Sequence, residues 1–254
     1  MVFLHVPKTG GTSFRFILEN TFGLAHCHTN HIRKRVFTQD DLRFVRRFFP
    51  RLRSLAGHNL VDPTRLSLEN PFYLTFLREP IARVLSHYQD GVVRGRKQET
   101  FEQALRRGEE LENLHVKLMA GERNLDNAKR FLERCDFVGL TEKFDLSLHL
   151  LQRLAPCPLN LHYKRKVVAK GNSVRNAVAA DPRLMELAGQ FNQLDLELYA
   201  FAVNEVFPRL CQRAGLDPNA PVTTFETYQT ELHFTYALGR FYNRIFRQFS
   251  KIGL

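Results

Sequence analysis

The run Pro7-Lys8-Thr9-Gly10-Gly11-Thr12-Ser13 holds the residue types of an anion site. Lys8 brings a positive charge, and Thr12 and Ser13 bring hydroxyls. Gly10 and Gly11 let the backbone take a positive φ and come close to a ligand. Ahead of them, Val2-Phe3-Leu4-His5-Val6 reads as a buried strand. After them, Phe14, Ile17 and Leu18 share one face of a helix, expected from about Thr12 to Asn20 and closed by Gly23. A glycine turn between strand and helix sets amides and hydroxyls at the positive end of the helix dipole, where phosphate binds. The pattern differs from the Walker A loop G-x-x-x-x-G-K-[ST]. Here the lysine precedes both glycines and leaves the strand end, not the helix start.

A second stretch has the same build. Pro71-Phe72-Tyr73-Leu74-Thr75-Phe76-Leu77 is an apolar strand ending in Arg78-Glu79-Pro80, and a helix pattern follows with Arg83, Ser86, His87 and Tyr88. Together the two stretches resemble the cofactor motifs of sulfotransferases that use 3′-phosphoadenosine 5′-phosphosulfate (PAPS). In that family a P-K-x-G-[GS]-T-S loop holds the 5′-phosphosulfate, and an R-[DE]-P-x-x-R-x-x-S-x-Y segment holds the 3′-phosphate. The resemblance implies that Lys8, Thr9, Gly10, Gly11, Thr12 and Ser13 surround the 5′ end, and that Arg78 and Ser86 take the 3′-phosphate. It implies 3′,5′-ADP as product and no required metal. Lys8 would also be catalytic, donating to the oxygen that leaves.

The resemblance covers roughly residues 1–210. Gly57-His58 matches the second histidine of a G-H or H-G-H segment in heparan sulfate and uronyl 2-O-sulfotransferases, with Ala56 in place of the first. His58 is therefore the expected general base, since a histidine titrates near neutral pH. His5 lies within the first strand and reads as scaffold. His26, His28, His31 and His87 are fallback bases. The basic stretch from His162 to Asn176 sits where the family has a segment over the nucleotide, which adds Lys166 and, as cofactor-binding candidates, Lys170, Gly171 and Asn172. The implied acceptor is a hydroxyl, with a saccharide expected and an anionic one allowed.

Composition bounds these readings. The chain has 254 residues, 44% hydrophobic and 25% charged, as ordinary globular domains are. Lys and Arg number 37 against 26 acids, a net charge of +11. That field attracts and steers anions. It would suit nucleic acid as well, but no specific nucleic-acid signature accompanies it. No apolar run reaches the ~18 residues of a membrane span. Cys27, Cys135, Cys157 and Cys211 are widely spaced, as reduced thiols in a cytosolic setting would be. A cytoplasmic protein is expected, with a trimmed luminal Golgi catalytic domain as the alternative.

The elements that must position these groups follow in order. His26-Cys27-His28-Thr29-Asn30-His31 has no common zinc spacing and reads as part of an exposed, substrate-facing loop through Arg35. Thr38-Gln39-Asp40-Asp41 resembles a capping box before a helix with Leu42, Val45, Phe48 and Phe49 inward. Ser54 to Gly57 reads as a strand with His58 at its mouth. Thr100 to Gln103 is another capping box, and 111–119 and 125–132 look helical. Cys135 to Leu140 reads as a fourth strand. A long helix is expected over 192–211, interrupted by Pro208. From residue 223 the chain is aromatic and basic, an amphipathic helix expected to pack on its own domain or on a second copy.

The sum is an α/β fold, P-loop-like and three-layered, with a central mainly parallel sheet between helices. Residues 1–218 are expected to form the catalytic domain and 219–254 a helical extension. A kinase using ATP and a non-catalytic nucleotide or polyanion binder are the rival functions.

Overall fold

The computed structural model describes residues 1–96, 98–163, 173–227 and 234–250. Five short strands form one wholly parallel sheet: β1 (Val2–Leu4), β2 (His26–His28), β3 (Ser54–Gly57), β4 (Tyr73–Leu77) and β5 (Phe137–Leu140). Their spatial order is β2-β3-β1-β4-β5. Every residue in them is buried, as a parallel sheet covered on both faces requires. The one hydroxyl at the centre of β4 is satisfied across the sheet: Thr75 donates to the Leu4 carbonyl at 3.0 Å.

The connection after β1 runs through α1 (Gly11–Phe22) to β2, on one side. The connection after β4 runs through α3 (Pro80–Val93), α4 (Phe101–Arg107), α5 (Leu114–Ala120) and α6 (Leu125–Arg134) to β5, on the other. Adjacent strands whose connections diverge open a crevice at their carboxyl ends, the usual ligand position in such sheets. Here that crevice lies between β1 and β4. The helix α2 (Gln39–Phe48) joins β2 to β3 and starts with the expected capping box, Thr38 and Asp41 bonding each other's backbone N–H. Thr100 and Gln103 cap α4 in the same way.

After β5 come α7 (Phe144–Leu154), α8 (Ser173–Ala179), α9 (Pro182–Phe191) and α10 (Gln193–Phe201). A π-helical turn over Ala202–Val206 then leads into α11 (Phe207–Arg213). The single helix expected over 192–211 is thus re-registered just before Pro208, whose missing N–H and bulky ring disrupt regular helix bonding. A second apolar cluster, apart from the sheet core, joins α3, α4, α8 and α9 through Val84, Leu85, Phe101, Leu105, Val178 and Ala188.

The expected loop at 26–35 is corrected. Its first three residues form β2, and His26, Cys27 and His28 are buried. Polar residues are tolerated on this strand because each finds a partner. His26 Nδ1 lies 2.9 Å from Ser54 Oγ, and His28 Nε2 lies 2.6 Å from Glu19. The outer face is closed by α12 (Phe234–Phe249). Asn243 donates to the His26 carbonyl at 2.9 Å and accepts from the His28 amide at 3.2 Å. Gly239 lets this helix cross at contact distance, since a Cβ there would meet the Gly23 backbone at 2.6 Å. An edge strand is thereby paired and covered.

One polar post stands inside the helical layer. Asp195 of α10 is fully buried and accepts from the His115 amide (3.0 Å), His115 Nδ1 (2.9 Å) and the Val116 amide (2.9 Å), capping the start of α5. Burial pushes its carboxyl upward. His115, Arg83 and the amide outweigh that and hold it below the ordinary value. A depressed carboxylate stabilises the fold above its unfolded pKa, and that contribution is lost as pH falls through the folded pKa. Asp195→Ala is expected to cost about 3–5 kcal/mol in urea denaturation at neutral pH. Below about pH 4 the gap between variant and wild type should narrow.

Candidate active site

The carboxyl ends of β1, β3 and β4 deliver Lys8, His58 and Arg78 to one rim. Leu4 pairs in register with Gly57 on one side and with Thr75 on the other. The segment after β1 turns sharply: Lys8 takes φ +72°, a left-handed conformation seldom held by a side chain, and Gly10 takes φ +78° as it opens α1. No side chain caps this helix and no acid sits in its first turn. Its start therefore keeps the positive end of the helix dipole, which favours an anion.

Gly11 is required for a different reason. A Cβ there would lie 1.7 Å from His5 Nε2, so the His5 ring occupies the space any larger residue would need. The hydroxyl of Thr9 turns away from the rim. Its side chain is buried and donates inward to the Val6 carbonyl at 2.9 Å, so it braces the turn from within. Thr12 and Ser13 stay partly exposed in the first helical turn.

Arg78 closes the crevice. Its Nη1 donates to the Lys8 carbonyl at 3.1 Å, tying the two motifs together. Burial lowers its pKa from the usual guanidinium value, and Arg175 on α8 lowers it further. A guanidinium has five N–H donors in a fork, so one bond to a carbonyl leaves the geometry for a phosphate. Ser86 lies two turns into α3, half-buried, one turn before Asp90, whose carboxylate reaches Lys8 Nζ at 3.6 Å. Lys170, Gly171 and Asn172, with Lys166, lie outside the described residues.

His58 is held by backbone geometry. Its amide donates to Asn30 at 2.8 Å, and its Nδ1 donates to the His5 carbonyl at 2.5 Å. Asn30 is itself on the turn after β2, and Asn59 ties that turn down through Thr29 and Ile32. Because the carbonyl can only accept, Nδ1 carries the proton, and in the neutral ring Nε2 keeps its lone pair. Burial lowers the His58 pKa, with the His5 carbonyl and Glu110 acting against it. Burial thus favours the neutral ring, in which Nε2 is the basic nitrogen.

The fallback histidines are placed differently. His26 and His28 serve β2 as described. His31 is depressed to about 4 by burial and lies under Phe246 of α12. His87 pairs with Glu110 at 2.9 Å. His5 is buried scaffold in contact with His58, ring centroids 4.1 Å apart. Asn30, the His5 carbonyl, Asp90 and Glu110 were not legible as site residues. Only Asn30, in a turn after alternating histidines, carried even a weak turn signal.

Among the described residues, no group of three or more His, Cys, Asp or Glu is placed to hold a metal ion. No helix there is long and apolar enough to cross a membrane. A cleft of about 380 Å³ lies at the opposite end of the strands, lined by Met1, Arg46, Arg53 and Ser54. It contains none of the rim residues.

Residues 1–202 match the sequence pattern of a family described as the sulfotransferase family. The chain is also similar to heparan sulfate 2-O-sulfotransferase hst-2 of Caenorhabditis elegans, at 29% identity over 42% of this chain and 40% of the relative. The similarity thus spans about two fifths of that protein's length.

The Gly11–His5 contact yields a direct test. Gly11→Ala should destabilise the protein by about 1–3 kcal/mol through overpacking. Combined with His5→Ala, the penalty of the added methyl should largely vanish in a double-mutant cycle read by chemical denaturation.

Proposed function

The chain belongs to the sulfotransferase family, and from that premise we propose that it moves a sulfuryl group from PAPS to a hydroxyl, with a saccharide as acceptor. The observation that carries this reading is the union of the two motifs across one crevice. Arg78 is bonded to the Lys8 carbonyl, and His58 stands on the neighbouring strand end with Nε2 as a base. The heparan sulfate enzyme among its relatives supports a saccharide acceptor.

The residues fit an anionic donor. The uncapped start of α1, the tight approach at Gly11 and the Lys8 ammonium suit a 5′-phosphosulfate. Arg78 and Ser86 suit a 3′-phosphate. Bound there, the donor supplies a sulfuryl group whose S–O bond to phosphate breaks as the S–O bond to the acceptor forms. His58 Nε2 takes the acceptor's proton during attack. Lys8 neutralises the charge that gathers on the departing oxygen. Thr12 and Ser13, with the first amides of α1, fix the phosphate in line, so positioning and charge stabilisation supply most of the rate. No step in this scheme calls on a divalent metal. We assign catalysis to residues 1–218, with 219–254 as an extension whose helix seals β2.

Turnover with PAPS and a saccharide acceptor tests the scheme. Lys8→Ala should abolish it. His58→Ala should lower kcat by about 10²–10⁴-fold while leaving donor affinity near wild type. Arg78→Ala should weaken donor binding by about ten- to a hundredfold, the loss of a charged hydrogen bond of ~1.5–3 kcal/mol. Because burial lowers the His58 pKa, the acid limb of kcat/KM should fall below the ~6.5 of an ordinary histidine. Undiminished turnover in His58→Ala would place the base elsewhere.

A further inference from the structure

Asp90 stands where an anion site should not have a carboxylate. It lies one turn past Ser86 on α3, and its Oδ1 is 3.6 Å from Lys8 Nζ, with both side chains about one-fifth exposed (21% and 22%). The same carboxylate accepts from Arg94 Nε at 2.8 Å and from Arg96 Nη2 at 2.6 Å. A negative charge beside the lysine opposes any phosphate that approaches it. It is useful only if it acts before the phosphate arrives. Its other partners make that possible. When Lys8 departs, Asp90 still holds two guanidinium groups, so no carboxylate is left uncompensated.

We propose that Asp90 is a positioning residue: it holds Lys8 in the unliganded protein and yields it to the donor's 5′-phosphosulfate, so that donor binding is an exchange of ion-pair partners. This rests on the sulfuryl-transfer reading above. The exchange places a cost on donor affinity and in return keeps the ammonium charged and aimed across the crevice. The charged groups facing Lys8 are Asp90 and Arg94 from α3 and its end, and Arg78 from the end of β4. Burial lowers the Lys8 pKa, Arg94 and Arg78 lower it further, and Asp90 raises it. Burial pushes Asp90 upward, yet Lys8, Arg94 and Arg96 hold its carboxyl below the ordinary value.

The test is calorimetric titration of 3′,5′-ADP into wild type, Asp90→Asn and Asp90→Glu across neutral to alkaline pH, with donor KM and kcat measured in parallel. Asp90→Asn should bind roughly three- to tenfold tighter near neutral pH, since a competing charge is gone. Its affinity should decline at a lower pH than in wild type, because Lys8 loses the group that keeps it protonated. Donor KM should fall with affinity while kcat changes little. Asp90→Glu, which restores the charge, should move each quantity back toward wild type. Wild-type affinity and pH dependence in Asp90→Asn, or weaker binding at every pH, overturns the proposal while the sulfuryl-transfer reading stands. Failure of wild type to bind 3′,5′-ADP overturns both.

Discussion

The hydrogen bond from Arg78 to the Lys8 carbonyl is the contact on which this site depends. The two motifs are separated by most of seventy residues of chain, and the sheet alone only brings their strands side by side. The guanidinium holds the turn at Lys8 by its backbone carbonyl. With the carbonyl held, the ammonium points back toward α3 and the start of α1 faces the crevice. The positive φ at Lys8 is stabilised by this bond and by the inward hydroxyl of Thr9. Strain of this kind persists where surrounding contacts over-determine it.

A second layer of support reaches His58. His5 links two parts of the rim: its ring fills the space beside Gly11, and its carbonyl accepts a hydrogen bond from His58 Nδ1. One residue thus couples the shape of the Gly10–Gly11 turn to the tautomer of the neighbouring histidine. Such backbone-fixed imidazoles keep a defined nitrogen available. The turn after β2 completes the grip through Asn30, and β2 itself is held by α12. The helix α12, far from β1 in sequence, therefore supports the turn that orients His58.

Much of this was legible in the sequence. The strand–turn–helix order around Lys8 and Arg78, both capping boxes, the strand ending at His58 and the helix break at Pro208 all followed from local pattern and turn chemistry. β2 did not. Its three residues, His26, Cys27 and His28, carry no apolar run and no alternation, and their burial relies on contacts from Ser54, Glu19 and Asn243 in distant parts of the chain. The inward turn of the Thr9 hydroxyl was not legible, because sequence places it in the loop but does not give its rotamer. Asp90 and Asp195 were missed for a related reason: each looks like an ordinary helix carboxylate until a partner is known, Lys8 for one and the α5 N-terminus for the other.

The central claim is that this crevice binds a 3′-phosphorylated adenosine nucleotide through two separate anion pockets. Calorimetry of 3′,5′-ADP, with AMP and Mg·ATP as controls, tests it most directly. The account predicts tight binding of 3′,5′-ADP, much weaker binding of AMP, and loss of that preference in Arg78→Ala. Binding of Mg·ATP with no response to 3′,5′-ADP would contradict it and favour a kinase.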